Sequence, residues 1–267
     1  MNRTSVAGVA IAALLGMTCG AALADGPAVS GLNAKASLSG GEVDGNMAGV
    51  AEGSVAFPIG HSFGGQLDAA AGTNGRQIWG VAGQGFWRDP AQGLIGGFVM
   101  HANHGVAHSK TVTANGAGIN RFGVEGEYYY GQFTPAAAAG YQNGGIKKSG
   151  GFVVLDLAWY PLDDLQLSGG GDLNSSHSRV LFGAEYQLGV AALPGLTTFM
   201  TAGITGQRDS YALAGVRLYF GGPAKTLIRR HREDDPANPT INGLDSSYTN
   251  TTGGTAPPTG CGGGCEL

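Results

Sequence analysis

The stretch RFGVEGEYYY, residues 121–130, decides the fold, because apolar and polar side chains alternate along it with a period of two. Phe122 and Val124 fall on one side, and Arg121 and Glu125 fall on the other. Successive side chains of a β-strand point to opposite faces, so this alternation predicts a strand with one apolar and one polar face.

The same alternation divides the chain into twelve predicted strands: 29–38, 48–57, 63–72, 78–87, 94–102, 119–130, 135–142, 151–160, 165–171, 179–188, 196–205 and 211–220. Five of the breaks between them hold a proline: Pro58, Pro90, Pro135, Pro161 and Pro194. The other six breaks are longer on the whole and rich in Gly, Asn, Ser and Lys. Most strands are near the 9–11 residues with which a tilted strand crosses a bilayer. An even strand number with short turns at one end and longer loops at the other predicts an all-β fold, a closed antiparallel transmembrane β-barrel.

Composition excludes several other classes of protein. Of 267 residues, 50 are glycine and only 13% are charged, where about 25% is usual in soluble domains. Outside residues 6–24 there is no apolar run long enough for a transmembrane helix, which excludes a multi-span helical membrane protein. The net charge of −4 provides no basic surface, so no nucleic acid partner is expected.

The first 24 residues have the pattern of a secretory signal peptide. Arg3 supplies the positive charge, Val6–Gly20 is the apolar stretch, and Ala22-Leu23-Ala24 is a small-residue cleavage site. A retained helical anchor is the alternative. Removal of residues 1–24 takes one basic residue and no acid, leaving 14 basic against 19 acidic residues and a net charge of −5.

The chain changes character after residue 220. Residues 221–267 show no alternation and are rich in Asn, Thr, Gly and Pro, so we predict a disordered periplasmic tail after a barrel of residues 25–220. The charged run Arg229–Asp235 is interpreted as a solvated segment, with docking to peptidoglycan or a chaperone as the alternative. Cys261 and Cys265 form an idle or locally paired dithiol in this interpretation.

The end of the last predicted strand carries an assembly signal. Leu218, Tyr219 and Phe220 close a strand whose apolar face ends in Phe. We expect the barrel-assembly machinery to bind this end, and outer-membrane lipid to surround the apolar faces of all the strands.

The face opposite the lipid is predicted to line the lumen, with six acids and three bases: Glu52, Asp68, Glu125, Glu127, Asp156 and Glu185, with Lys35, Arg121 and Arg217. Such charges either pair across the barrel or are solvated by water in a channel. Eight strands give a filled interior and sixteen an open pore, and twelve falls between. Two functions follow: a porin-like channel for small solutes that prefers cations, or a non-conducting structural or surface scaffold barrel.

Histidines and serines suggest chemistry only weakly. His101, His104 and His108 lie within eight residues at the start of the longest predicted loop and are weak candidates for metal ligands. Three pairs of adjacent His and Ser residues, His61-Ser62, His108-Ser109 and His177-Ser178, contain the residue types that outer-membrane lipases use. Neighbours in a strand point to opposite faces, so such a pair is not a catalytic dyad by itself. We therefore expect no catalytic residue, no enzyme activity, no bound metal and no cofactor.

Five motifs, followed by the run Leu227–Pro236, resemble Gly-rich, poorly characterised proteobacterial outer-membrane β-barrel proteins that are porin-like. The motifs are WRDPAQGLIG (87–96), VEGEYY (124–129), LAWYPLDD (157–164), FGAEYQ (182–187) and VRLYFGG (216–222). The resemblance covers about residues 80 to 236. It implies an outer-membrane location and a barrel fold, and it implies no reaction and no catalytic residue.

Overall fold

The computed structural model describes residues 26–73, 77–104, 107–109, 112–114, 117–144, 149–175, 178–205, 210–222 and 224–237. The predicted fold is confirmed, because twelve antiparallel strands of this part of the chain close into a barrel. The barrel strands are β1 (Asn33–Val43), β2 (Asn46–Pro58), β3 (Phe63–Thr73), β4 (Gln77–Asp89), β5 (Gly93–His104), β8 (Ala117–Tyr128), β9 (Phe133–Gly144), β10 (Gly150–Leu162), β11 (Leu165–Asn174), β12 (Ser178–Gln187), β13 (Leu196–Thr205) and β14 (Ser210–Phe220). Between β5 and β8 lies a separate hairpin of β6 (Ala107–Ser109) and β7 (Val112–Ala114), and a short helix, α1 (Leu227–Glu233), follows β14. The predicted signal peptide lies outside the described residues.

Each barrel strand pairs with its neighbour along the chain, and β1 closes the circle against β14. The closing register runs from the pair Ala34–Phe220 to the pair Val43–Tyr211. Closure leaves no unpaired edge strand, which is the condition for a sheet to cross a membrane. Among the described residues, no helix is long and apolar enough to cross a membrane.

The alternation of the sequence sorts the side chains onto two faces. In β8, Val124 is 51% exposed whereas the neighbouring Glu125 is 4% exposed. In β12, Phe182 is 57% exposed and Glu185 is 4% exposed. The outer surface is therefore apolar and the polar residues face inward, as in a barrel whose solvent is lipid.

Strand β1 differs from its prediction at both ends. It begins at Asn33 and continues to Val43, where residues 39–47 were predicted to be a loop. The turn is the pair Asp44-Gly45, with φ of 50° and 76°. Positive φ at both central residues defines the two-residue hairpin turn for which Asp-Gly is a favoured sequence, so the prediction of a long loop here is wrong.

Three of the five prolines predicted to lie in turns lie in strands, and Pro58 does so as the last residue of β2. Pro135 is inside β9, opposite Leu157 of β10. The pairing of β9 with β8 covers residues 136–144 only, so Pro135 has no partner residue in β8. Pro161 lies in the irregular pairing between Trp159 and Leu162 of β10. Proline is tolerated at such positions because its missing N–H is not required by a regular ladder.

The end of the barrel that holds residues 26–32 and 224–237 is called the termini end, and the end that holds the Asp44–Gly45 turn is called the loop end. A packed apolar layer fills the interior toward the loop end, with buried side chains that include Val43, Ile78, Met100, Ile119, Tyr211 and Leu213. A satellite cluster of Ala28, Val29 and their neighbours anchors the N-terminal segment at the termini end.

The prediction of a disordered tail from residue 221 is wrong for residues 224–237. This segment forms α1 and its flanks, and Arg230, Asp234 and Asp235 are buried. The run Arg229–Asp235 is consequently not a solvated segment. Residues 238–267, with Cys261 and Cys265, lie outside the described part of the chain.

Orientation in the membrane can be tested with single cysteines. Short turns face the periplasm in outer-membrane barrels, so the termini end is expected to face inward to the cell. With Cys261 and Cys265 changed to Ser, Asn46→Cys should react with an impermeant thiol reagent on intact cells, and Asp163→Cys should react only after the outer membrane is permeabilised. Both positions are exposed. The reverse labelling pattern would mean that the barrel is inserted the other way.

Candidate functional site: a chamber inside the barrel

A cavity of about 200 Å³ lies inside the barrel and is called the chamber. Its wall includes His231, Arg232, Asp235 and Ala237 from the C-terminal segment and Leu181 and Tyr211 from the apolar layer. The chamber therefore lies between α1 and the apolar layer. Seven of the nine predicted lumen residues line it: Lys35, Glu52, Glu125, Glu127, Asp156, Glu185 and Arg217.

Small residues make room for the chamber. Ala136 of β9 stands between Asp156 of β10 and Glu127 of β8 in the register of the sheet. Gly183, on the inward face of β12, contributes a further small wall position. Each of these positions would narrow the space if it carried a long side chain, so the small residues keep an interior volume open beside the carboxylates.

One side of the chamber wall is a paired network around Arg217. The guanidinium lies 2.6 Å from Glu185 and 3.7 Å from Glu52, and it stacks over Phe199 with its centre 4.5 Å from the ring. Glu185 also accepts hydrogen bonds from Thr197 (2.8 Å) and Tyr219 (2.9 Å). One arginine thus pairs with two carboxylates, so the network is stabilised by its ion pairs and keeps one net negative charge.

The other side of the chamber wall carries acids that form no salt bridge among the described residues, although the charge of Arg88 acts on both Glu125 and Glu127. Glu125, Glu127 and Asp156 take part in none of the ion pairs found among the described residues. Glu127 accepts a hydrogen bond from Tyr129 (3.0 Å). When the side-chain amide of Gln84 is rotated so that its nitrogen and oxygen exchange places, the nitrogen donates a hydrogen bond to Glu125 at 2.7 Å. The wall therefore has more acid than base.

The remaining two predicted lumen residues are buried in the barrel but do not line the chamber. Asp68 accepts a hydrogen bond from Gln66 (3.0 Å). Arg121 lies 3.0 Å from Asp172, which also pairs with Arg179 at 2.6 Å. This triad of two arginines and one aspartate is nearly inaccessible to solvent.

Sequence reasoning missed several interior residues. Asp172 and Arg179 were assigned to or beside a loop, although Asp172 continues the inward alternation of β11. Arg88 was also missed: it is fully buried, and among the described residues none of its three side-chain nitrogens has a hydrogen-bond partner. Its guanidinium lies 4.8 Å from the centre of the Phe86 ring. Arg88 lies two residues after Phe86, so the alternation of β4, continued by one step, would have placed it on the inward face.

The C-terminal segment contributes a partly buried histidine to the chamber. His231 lies between two tyrosines, with Nδ1 2.9 Å from the Tyr160 hydroxyl and Nε2 2.9 Å from the Tyr219 hydroxyl. Burial lowers the pKa of His231, against the opposing influence of Glu185 and Asp235. The neutral ring can accept a hydrogen bond from the Tyr160 hydroxyl at Nδ1 and donate one from Nε2 to the Tyr219 hydroxyl, which in turn donates to Glu185.

Of the predicted histidine cluster, the structure describes only the side chain of His101. His101 lies on the outer face of β5 and is within 2.7 Å of the Asn120 side chain, while the side chains of His104 and His108 lie outside the described residues. Among the described residues, no group of three or more His, Cys, Asp or Glu side chains could hold a metal ion.

The predicted assembly signal at the end of β14 presents two faces. Phe220 is 48% exposed on the outer surface, whereas Tyr219 is buried and bonds to Glu185 inside the barrel. Leu218 lies opposite Ala36 of β1 and Leu196 of β13. An outward apolar end at Phe220 is compatible with the assembly signal, which stays a prediction.

Solved structures of outer-membrane β-barrels resemble this fold. A KdgM porin in complex with disordered oligogalacturonate has a TM-score of 0.51 at 10% identity, with 70% of this chain and 99% of that chain covered. A second KdgM porin structure has a TM-score of 0.50 at 11% identity, with the same coverage. Outer membrane phospholipase A from Escherichia coli has a TM-score of 0.49 at 13% identity, covering 72% of this chain and 96% of that chain. No family model and no curated protein matches the sequence.

These likenesses show a fold and not an activity. The chain has the architecture of the outer-membrane β-barrels, which supports an outer-membrane location. Its individual task must be argued from the chamber.

Proposed function

We propose that the protein is a porin-like outer-membrane channel for small solutes and that it prefers cations. The observation that carries the proposal is the chamber, an interior space whose wall holds three carboxylates that form no salt bridge within the described part of the chain, Glu125, Glu127 and Asp156. A barrel filled for stability alone has no use for unpaired acids beside small residues, because uncompensated buried charge is costly. Water and mobile cations supply the compensation in a channel.

The proposal includes the partners predicted from the sequence. Lipid covers the apolar outer face, and the assembly machinery binds the outward end of β14 at Phe220. It assigns no catalytic residue, metal or cofactor to the barrel. Contact of the tail with peptidoglycan is a further part of the proposal, carried only by the sequence.

Cation preference can be tested by neutralising the unpaired acids. In planar bilayers with a salt gradient, the parent protein should show a reversal potential whose sign indicates selectivity for cations over anions. The variant Glu125→Gln with Glu127→Gln should move it toward zero, because fixed charges in a narrow lumen bias ion occupancy over a Debye length of about 8 Å at physiological ionic strength.

The matched control is Glu42→Gln, which removes a carboxylate from an exposed position of β1 and should leave the reversal potential unchanged. An unchanged potential in the Glu125/Glu127 variant would refute the role of these acids.

A non-conducting scaffold barrel is the second candidate, favoured by the packed apolar layer at the loop end. A dry apolar constriction blocks ions, and most interior charges outside the acidic wall are paired. Absence of conductance under all conditions would favour this candidate.

A further inference from the structure

We infer that the segment Lys225–Ala237 is a releasable plug, which closes the termini end of the chamber and must move before a solute can pass. The inference rests on the proposed function and names the regulation of the same site. It concerns a conformational device of the fold, carried by three observations: where the segment lies, how it is held, and which contact ties its end to the wall.

The segment crosses the opening of the barrel from one side to the other. At its start, the backbone N–H of Ile228 donates to the carbonyl of Asp163 in the β10–β11 turn (3.0 Å). At its end, Gln66 of β3 donates to the carbonyl of Pro236 (3.2 Å). Strands β3 and β11 are far apart in the strand order, so the segment spans the lumen and forms one wall of the chamber.

Polar contacts hold the segment, with little apolar burial. Leu227 is the fully buried apolar side chain of α1. Lys225 and Asp234 pair with each other inside the segment at 2.8 Å, and both also bond to Ser30 of the N-terminal segment. Arg232 donates to the backbone carbonyls of Gly131 and Phe133 at 2.9 Å each.

A segment that is held by polar contacts is released more readily than one that is held by apolar burial. Water can replace each of these partners when the segment leaves, and the net contribution of a hydrogen bond or ion pair is small compared with its strength in isolation. Polar interfaces are also typical of elements that move relative to each other. Release therefore exchanges contacts with the barrel for contacts with water.

The salt bridge between Lys35 and Asp235 ties the end of the segment to the barrel wall. Its atoms are 2.8 Å apart, and the two side chains are 12% and 9% exposed. Removing one partner leaves the other charge without compensation in the docked state, whereas water solvates it in the released state. Loss of either partner should therefore favour release.

The test measures single-channel activity of the full mature chain in planar bilayers. Lys35→Met and Asp235→Asn should each raise the open fraction at least about tenfold, a shift of 1.4 kcal/mol. The charge swap Lys35→Asp with Asp235→Lys should return it toward the parent value. Because Lys35→Met makes the lumen more negative and Asp235→Asn less negative, a shared rise cannot come from lumen charge alone.

Arg229→Met is the matched control, because Arg229 lies on the same helix, is largely exposed and pairs only with Glu233 among the ion pairs of the described residues. It should leave the open fraction unchanged. A heat-modifiable band on a gel confirms that each variant contains a folded barrel.

A reversible lock gives a second readout. In a chain with Cys261 and Cys265 changed to Ser, Ser30→Cys and Asp234→Cys replace two side chains in direct contact. Oxidation to a disulfide should suppress conductance and reduction should restore it. The accessibility of Asp234→Cys alone to a thiol reagent, measured with and without Lys35→Met, reports release without requiring conductance.

Three outcomes are decisive. A higher open fraction in both single variants, reversed by the charge swap and by the lock, supports the plug. Conductance that is equal in parent and variants, and insensitive to the lock, overturns the plug and leaves the channel function standing. Faster thiol labelling with no conductance in any variant overturns the gate together with the channel function.

Discussion

Replacing Asp172 with alanine should lower the free energy of unfolding of the barrel by about 3–5 kcal/mol, the cost of breaking a buried ion pair from one side. Asp172 is 1% exposed and lies between Arg121 at 3.0 Å and Arg179 at 2.6 Å. Without the carboxylate, two buried guanidinium groups lose the negative charge that they share. Urea unfolding of the protein in lipid vesicles, followed by tryptophan fluorescence, measures the change.

Two further variants separate the buried charge from a general effect of mutation. Glu42→Ala removes an exposed acid from β1, also toward the loop end, and should change the free energy of unfolding by no more than about 0.5 kcal/mol. The triple variant Asp172→Leu, Arg121→Met and Arg179→Met should be more stable than Asp172→Ala, because apolar side chains of similar volume can replace a buried ion network. A loss below 1 kcal/mol for Asp172→Ala would show that water reaches the triad.

The strands could be predicted because one physical rule acts on nearly every residue of a barrel wall. A side chain meets either lipid or the interior, so the period of two is written along each strand, as in the residues around Val124 and Glu125. The strand number followed from counting the breaks. The prediction failed at Asp44–Gly45, because the Gly-rich composition around this pair predicted a long loop, whereas the backbone geometry is that of a two-residue turn.

The interior could be predicted only in part. Inward charges inside a clear alternation, such as Glu125 and Glu185, were found, whereas Asp172 was hidden by its glycine-rich surroundings, residues 169–171. Which acids are paired depends on contacts across the barrel, and the partners Arg121 and Asp172 are 51 residues apart in the chain. A single sequence carries no pattern that reports such a distance.

The C-terminal plug was missed for a chemical reason. A mixed-charge run such as Arg229–Asp235 usually lies in water, because water solvates charges better than an apolar core does. Here the interior of the barrel is itself polar at the termini end, and Lys35 and Thr134 supply partners. The rule that charged segments are solvated assumes an apolar interior, and a barrel lumen violates that assumption.

The apolar layer leads to the second large effect. Leu213→Ala should lower the free energy of unfolding by about 2–5 kcal/mol, because truncation of a buried leucine loses transfer free energy and leaves a void. Leu213 is 3% exposed and packs in the layer with side chains such as Val43 and Ile119. The closed sheet restrains its collapse around the void. The same unfolding measurement in vesicles reports the loss.

The matched control is Leu155→Ala, at a strand position that is 51% exposed on the outer face. Lipid tails can fill the space left there, so no void remains and the loss should be clearly smaller than for Leu213→Ala. Equal losses would mean that the layer is not tightly packed. Under the channel proposal, the void at Leu213 also admits water at the loop end. A wider and wetter apolar constriction presents a lower barrier to ions. The conductance of open channels should therefore rise with Leu213→Ala and not with Leu155→Ala.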